Sequence, residues 1–227
     1  MTDQVFAWTA GGQITLAEAL QAPDVTAYHL AKFARSFASF ISSKISIDEC
    51  LARLRFESPN LRLKAIACMA YDSLKNGETI AEPLRRAIEL KLHDSTPLAF
   101  LVDIGEEVGS LDVALNEYAA IADDLFVERD IKGGLALRLF VVGFWMMQDA
   151  GLPVLRSLRV LSSIHPNENW KRELGLAADR VEKGARLRQA FGEADFFPKV
   201  LVTTLGTGED SGGLEVSLKN LLEELKQ

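Results

Sequence analysis

Gly208-Glu209-Asp210-Ser211-Gly212-Gly213-Leu214-Glu215-Val216-Ser217-Leu218 repeats the pattern of an earlier stretch of the same chain: Gly105-Glu106-Glu107-Val108-Gly109-Ser110-Leu111-Asp112-Val113-Ala114-Leu115. Working backwards from these two stretches, Gly184 stands 107 positions after Gly77, and the same offset pairs Phe140 with Phe33, Phe144 with Phe37, Leu158 with Leu51 and Leu161 with Leu54. It also lays His165-Pro166-Asn167 over Ser58-Pro59-Asn60, and Lys171 over Lys64. The glycine-glutamate stretches themselves are 103 positions apart, so the second copy is four residues shorter between Gly184 and Gly208. A shared period in glycines, caps and apolar positions marks a duplicated structural unit.

A chain of 227 residues suits two units of about 100 residues each, both able to bury a core. Apolar residues make up 48% and charged residues 25%, the balance of an ordinary globular protein. A net charge of −7 opposes nucleic-acid binding, which needs a basic footprint. Cys50 and Cys68 have no metal-ligand or redox spacing and read as buried thiols in a reducing compartment. The start, Met1-Thr2-Asp3-Gln4, lacks the basic-then-apolar pattern of a secretory signal. The longest apolar run, residues 139–147, is far shorter than the roughly 20 residues a spanning helix needs.

Residues 1–25 read as a leader, extended or hairpin-like around Gly11-Gly12. From Asp24 or Thr26 the pattern becomes helical, with Leu30, Phe33, Phe37, Phe40 and Ile41 on one stripe. Ser46-Ile47-Asp48-Glu49 predicts a capping box for a second helix, and Ser58-Pro59 the opening of a third that Gly77 ends. Thr79-Ile80-Ala81-Glu82 predicts a second box before a fourth helix. A fifth helix is expected from about 97 to 106 and a sixth from 110 to about 129. The second copy repeats the plan: an apolar helix over 139–147, a glycine stop and proline start at Gly151-Leu152-Pro153, and a third helix from Asn167 to Lys183. Phe197-Pro198 opens its fifth helix and Gly212-Gly213 leads into its sixth. The fold expected is therefore all-α: two tandem antiparallel six-helix bundles related by internal duplication. The short connections favour antiparallel neighbours. The domains fall at 26–132 and 133–227 after the leader.

Little in this pattern points to catalysis. His29, His93 and His165 form no ligand pair at helical spacing, and His93-Asp94 lacks the further histidines of a metal phosphohydrolase. Gly206-Thr207-Gly208-Glu209 puts a carboxylate where a phosphate loop would hold its anion. Glu106 and Glu209 are the informative pair. They stand at the same place in each copy, at the C-terminal end of a helix, where the dipole disfavours negative charge. Either they accept hydrogen bonds that fix the turn into the sixth helix, or with Asp210 they are metal candidates for a hard cation; six to eight oxygens would be needed, and few are near. No cofactor is expected. The helix over 139–147 is apolar on every face, so it is buried between the units or exposed as a docking surface, with a homodimer through it as one arrangement. Phe144, Trp145 and Trp170 are the candidate interaction residues.

The second copy resembles the cytoplasmic domain of the type II secretion system F family, found in inner-membrane platform proteins of type II secretion and type IV pilus machines. The likeness is carried by Ala150-Gly151-Leu152-Pro153-Val154-Leu155, by Lys183-Gly184 with Leu187, by Phe197-Pro198, and by the Gly208 to Leu214 stretch, which looks like that family's Gly-Glu-x-Ser-Gly-x-Leu signature. The first copy is more diverged. It has Lys44-Ile45-Ser46-Ile47 where Ala-Gly-Leu-Pro would stand, yet keeps Gly105-Glu106-Glu107-Val108-Gly109-Ser110-Leu111.

The resemblance implies a non-enzymatic scaffold or adaptor contacting the assembly ATPase and inner-membrane platform subunits, from the cytoplasmic face of the inner membrane. Family members usually carry two such domains with a spanning helix between them. Here Arg129-Asp130-Ile131-Lys132-Gly133-Gly134 joins the copies directly, which implies either a member without membrane helices or one from which they have been removed. The alternative from a different class is a helical ligand- or metal-binding protein with its site between the repeats.

Overall fold

The computed structural model describes residues 5–8, 12–86, 95–126 and 134–226. The chain divides into two compact units, Met1–Arg129 and Asp130–Gln227. Apart from one short hairpin, the described elements are helices, and the fold class is all-α.

In the first unit, β1 (Val5–Trp8) pairs antiparallel with β2 (Gly12–Thr15), Val5 opposite Thr15 and Trp8 opposite Gly12. Helix α1 (Leu16–Gln21) follows at once, because Thr15 and Glu18 form a reciprocal cap: the Glu18 N–H donates to Thr15 Oγ1 at 3.1 Å and the Thr15 N–H to Glu18 Oε2 at 2.7 Å. The further described helices of the unit are α2 (Ala27–Ser42), α3 (Ile47–Glu57), α4 (Leu61–Lys75), α5 (Ala81–Arg86), α6 (Ser95–Val108) and α7 (Leu111–Phe126). Helix α2 lies along α7, α3 along α4, and α6 along α7. Leu30, Phe33 and Phe37 enter the core as their spacing predicts. Phe40 and Ile41 stay half-buried, and the small residues Ala31, Ala34 and Ala38 take the close packing instead. Cys50 and Cys68 are buried free thiols, and burial pushes Cys68 up to about 11.

The second unit holds α8 (Gly134–Asp149), α9 (Val154–Ile164), α10 (Glu168–Glu182), α11 (Leu187–Gly192), α12 (Lys199–Ser211) and α13 (Leu214–Leu225). Helix α8 packs on α13 and α9, and α10 on α9. The apolar helix α8 is buried over most of its surface: Leu139, Phe140, Val141, Val142, Phe144 and Met147 expose nothing, while Trp145 is half-buried. No described helix is long and apolar enough to cross a membrane.

Glycine stops are built as the sequence predicts. At Gly77 (φ +75°) the Glu78 N–H reaches back to the Ser73 carbonyl at 2.8 Å, and at Gly184 (φ +93°) Ala185 reaches Arg180 at 3.0 Å. Gly151 (φ +75°) ends α8 in the same way, Leu152 N–H to Met147 carbonyl at 2.9 Å. Its counterpart by the 107-residue offset is Lys44, which adopts φ +61° and closes α2 through an Ile45 N–H to Phe40 carbonyl bond of 3.2 Å.

Three local expectations are corrected. Ser46 stands at the N-cap of α3 but makes no side-chain cap bond; its hydroxyl bonds Asp48, and Glu49 pairs with Arg53 at 2.6 Å. Neither Ser58 nor Pro59 opens α4: Asn60 caps it, accepting from the Arg62 N–H at 2.8 Å, and Asn167 caps α10 likewise. The expected box at Thr79-Glu82 is replaced by a carboxylate from a distant helix, while Glu82 pairs with Arg85 and Arg86.

Candidate functional site

The first unfilled backbone donors of a helix need acceptors. For α5 these come from Glu106, in the last turn of α6: Oε1 accepts the Ile80 N–H at 2.8 Å and Oε2 the Ala81 N–H at 3.1 Å. A charge disfavoured by the C-terminal end of its own helix thus sits at the favourable N-terminal end of another. Burial pushes the Glu106 pKa up, opposed by these two donors. The glutamate fixes the start of α5, not the turn into α7 as the sequence suggests. Beside it, burial also raises Asp103, opposed by its ion pair with Arg85.

The neighbouring glycines serve packing. A Cβ on Gly105 would lie 2.8 Å from Ala114 Cβ and 3.0 Å from Leu111 Cα, so only glycine admits α7 at this distance. Gly109 (φ +71°) then turns the chain, with the Ser110 N–H donating to the Gly105 carbonyl at 2.9 Å.

The second unit builds the same corner. Both Glu209 oxygens accept the Leu187 N–H at the start of α11, at 3.1 and 3.0 Å. A Cβ on Gly208 would lie 2.9 Å from Leu214 Cα. Gly212 (φ +70°) ends α12, the Gly213 N–H reaching the Gly208 carbonyl at 3.1 Å. Here arginines are added: Arg186 reaches Glu209 Oε2 at 3.3 Å and Asp210 Oδ1 at 2.5 Å, and Arg188 reaches Asp210 Oδ2 at 3.4 Å. These side chains and Gln189 line a recess of about 220 Å³. Exposed pairs of this kind are worth about 0–1 kcal/mol each.

Each candidate residue has a definite place. Both oxygens of Glu106 and of Glu209 are engaged by backbone N–H groups, and Asp210 by arginines. Among the described residues no three or more His, Cys, Asp or Glu side chains are grouped to hold a metal ion. Phe144 is fully buried and Trp170 is 7% exposed, so neither offers a surface. Trp145 is half-buried, with the Lys219 ammonium 5.6 Å from its ring centroid. His93 and Asp94 lie outside the described residues.

Arg62 and His165 have large structural roles that the sequence does not assign to them. Arg62, 3% exposed, donates to the Ala19 and Leu20 carbonyls and pairs with Asp24 at 2.7 Å, tying α1 to α4. His165, fully buried and stacked on Trp170, accepts from the Asn167 N–H at 3.1 Å and contacts the Ala136 carbonyl at 3.1 Å. Burial lowers its pKa.

The profile of one protein family, "Type II secretion system (T2SS), protein F", matches residues 33–133 and again residues 140–227, most of each unit and both corners. The chain belongs to the type II secretion system protein F family. Among its relatives, type II secretion system protein F of Aeromonas hydrophila is 26% identical over 89 residues, 39% of this chain and 23% of that protein. The protein of the same name from Vibrio cholerae serotype O1 is 29% identical over 85 residues, 37% of this chain and 21% of that one. The chain therefore aligns with less than a quarter of the length of these two relatives. Within the F family signature as it stands here, the glycines admit and turn the last helix and the glutamate caps a distant one.

Proposed function

We propose that this F-family chain is a non-enzymatic scaffold or adaptor of a type II secretion or type IV pilus assembly machine, contacting the assembly ATPase and inner-membrane platform subunits at the cytoplasmic face of the inner membrane. The observation that carries this reading is the use made of the signature. Its polar residue is consumed in holding helices together, in both units, leaving its chemistry committed to shape. A part so built serves by presenting surfaces.

The same reading takes the chain as two tandem F-type domains, 26–132 and 133–227, each a six-helix bundle, related by duplication, with residues 1–25 as a leader. Support comes from family matches that start at residues 33 and 140, the same 107-residue offset that pairs Gly77 with Gly184 and Lys44 with Gly151. Trp145 is the interaction residue we carry forward, since its ring is partly accessible.

Crosslinking in native cells, affinity recovery of the tagged chain and mass spectrometry against a mock sample test the assignment. Recovery of the assembly ATPase or a platform subunit is the expected result. Recovery of neither, with the chain itself well captured, counts against a scaffold role.

A further inference from the structure

The first unit contains a cavity of about 340 Å³ between α2, α3 and α4, within the size range of small-ligand sites. Phe33, Leu54, Ser58 and Leu63 are among its walls, with Tyr28 and Lys32 at the exposed rim. Resting on the duplication reading, the 107-residue offset carries those four walls onto Phe140, Leu161, His165 and Trp170. In the second unit the corresponding space is filled. The Trp170 indole packs 5.5 Å from the Phe140 ring, stacks on His165 at 5.4 Å with 17° between planes, and meets Phe196 and Phe197 edge-on at 5.5 Å each. In the first unit the apolar walls remain, but leucine and serine replace the two rings.

We propose that this cavity is a binding site for a planar aromatic ring of indole size, which takes the position that Trp170 occupies in the second unit. Phe33, Leu54 and Leu63 supply an apolar seat, and the hydroxyl of Ser58 an acceptor for a ring N–H or O–H. The rim adds aromatic and cationic contacts. Tyr28 is 40% exposed, and the Lys32 ammonium lies 5.2 Å from its ring centroid, where it can reach the face of an entering ring.

The test is a titration of the ¹⁵N-labelled full chain with indole, and in parallel with a tripeptide of tryptophan flanked by glycines against its alanine-centred control. Saturable amide shifts are expected around Tyr28, Leu54 and Leu63. Preference for the tripeptide assigns the ring to a polypeptide segment, and preference for indole to a free molecule. Leu63→Trp should fill the cavity, raise Tm and weaken indole binding at least about tenfold. Should that variant fold poorly, Leu63→Phe gives the same comparison with a smaller ring. Absence of saturable shifts in the wild type, or indole binding unchanged in a folded Leu63→Trp, overturns the site. A raised Tm in Leu63→Trp beside a wild type blind to indole would overturn the site and leave the correspondence of the two units standing. A lowered Tm beside saturable wild-type binding would retain the site and overturn the correspondence.

Discussion

Lys44 holds a left-handed backbone conformation that three matched or neighbouring helix ends assign to glycine, at Gly77, Gly151 and Gly184. An L-residue there costs about 1–2 kcal/mol, part of which glycine would return as greater freedom of the unfolded chain. Lys44→Gly should therefore stabilise the chain by about 0.5–1 kcal/mol, and Gly151→Ala should destabilise it by about 1 kcal/mol, both read by denaturant unfolding. Glu106→Ala would strand the N–H groups of Ile80 and Ala81 and should cost about 1–3 kcal/mol, with Glu106→Gln losing less because one acceptor survives. A chelator should leave the Tm of the wild type unchanged; a fall would point back to a bound cation. His165 sets a pH dependence. Its folded pKa is lowered by burial below the ordinary value near 6.5, so above that value its contribution is intact. As pH falls below about 6.5 the unfolded chain takes up a proton that the folded chain resists, and stability is lost towards the lowered folded value. Tm measured from pH 7.5 to about 5 should drop, and His165→Gln should flatten that part of the profile.

At the scale of elements, the last helix of each unit is seated by a missing side chain. Gly105→Ala and Gly208→Ala each push a methyl into a helix backbone, and overpacking of this sort costs about 1–3 kcal/mol. A loss below a few tenths in both would show that the helices can shift apart freely. How much of this was legible follows from the range over which a sequence can be read. Glycine stops at Gly77 and Gly184 were legible because the left-handed angle and the residue that tolerates it are the same local fact. The capping box at Thr79 was misread for the opposite reason: three-residue spacing says nothing of Glu106, which reaches Ile80 across 26 positions. At Ser46 the spacing was right and competing local partners, Asp48 and Arg53, took the two side chains. Lys44 was hidden because lysine carries no signal for a positive φ; only its alignment with Gly151 points there. The importance of Glu106 and Glu209 was visible in the repeat, and their target was not. Phe144 reads as a surface candidate because a helix apolar on all faces fits a core or an interface equally, and only packing decides; Trp170, in the amphipathic α10, is likewise placed inside by packing.

That distinction governs the molecule as a whole. Trp170→Ala should unfold or severely weaken the second unit, at about 3–5 kcal/mol, and any loss of partner binding it causes is a loss of fold. Trp145→Ala removes a half-buried ring and a cation–π contact, so its stability cost should stay near 1 kcal/mol while binding suffers. In each unit the signature's glutamate and glycines hold helices in place. The direct measurement is the affinity of the purified chain for the purified assembly ATPase of its own machine, by biolayer interferometry, for wild type and Trp145→Ala with their Tm values determined alongside. Saturable micromolar binding, weakened in Trp145→Ala at nearly unchanged Tm, is the predicted result. No binding of the folded wild type to the ATPase or to a platform subunit across that range would contradict the scaffold reading.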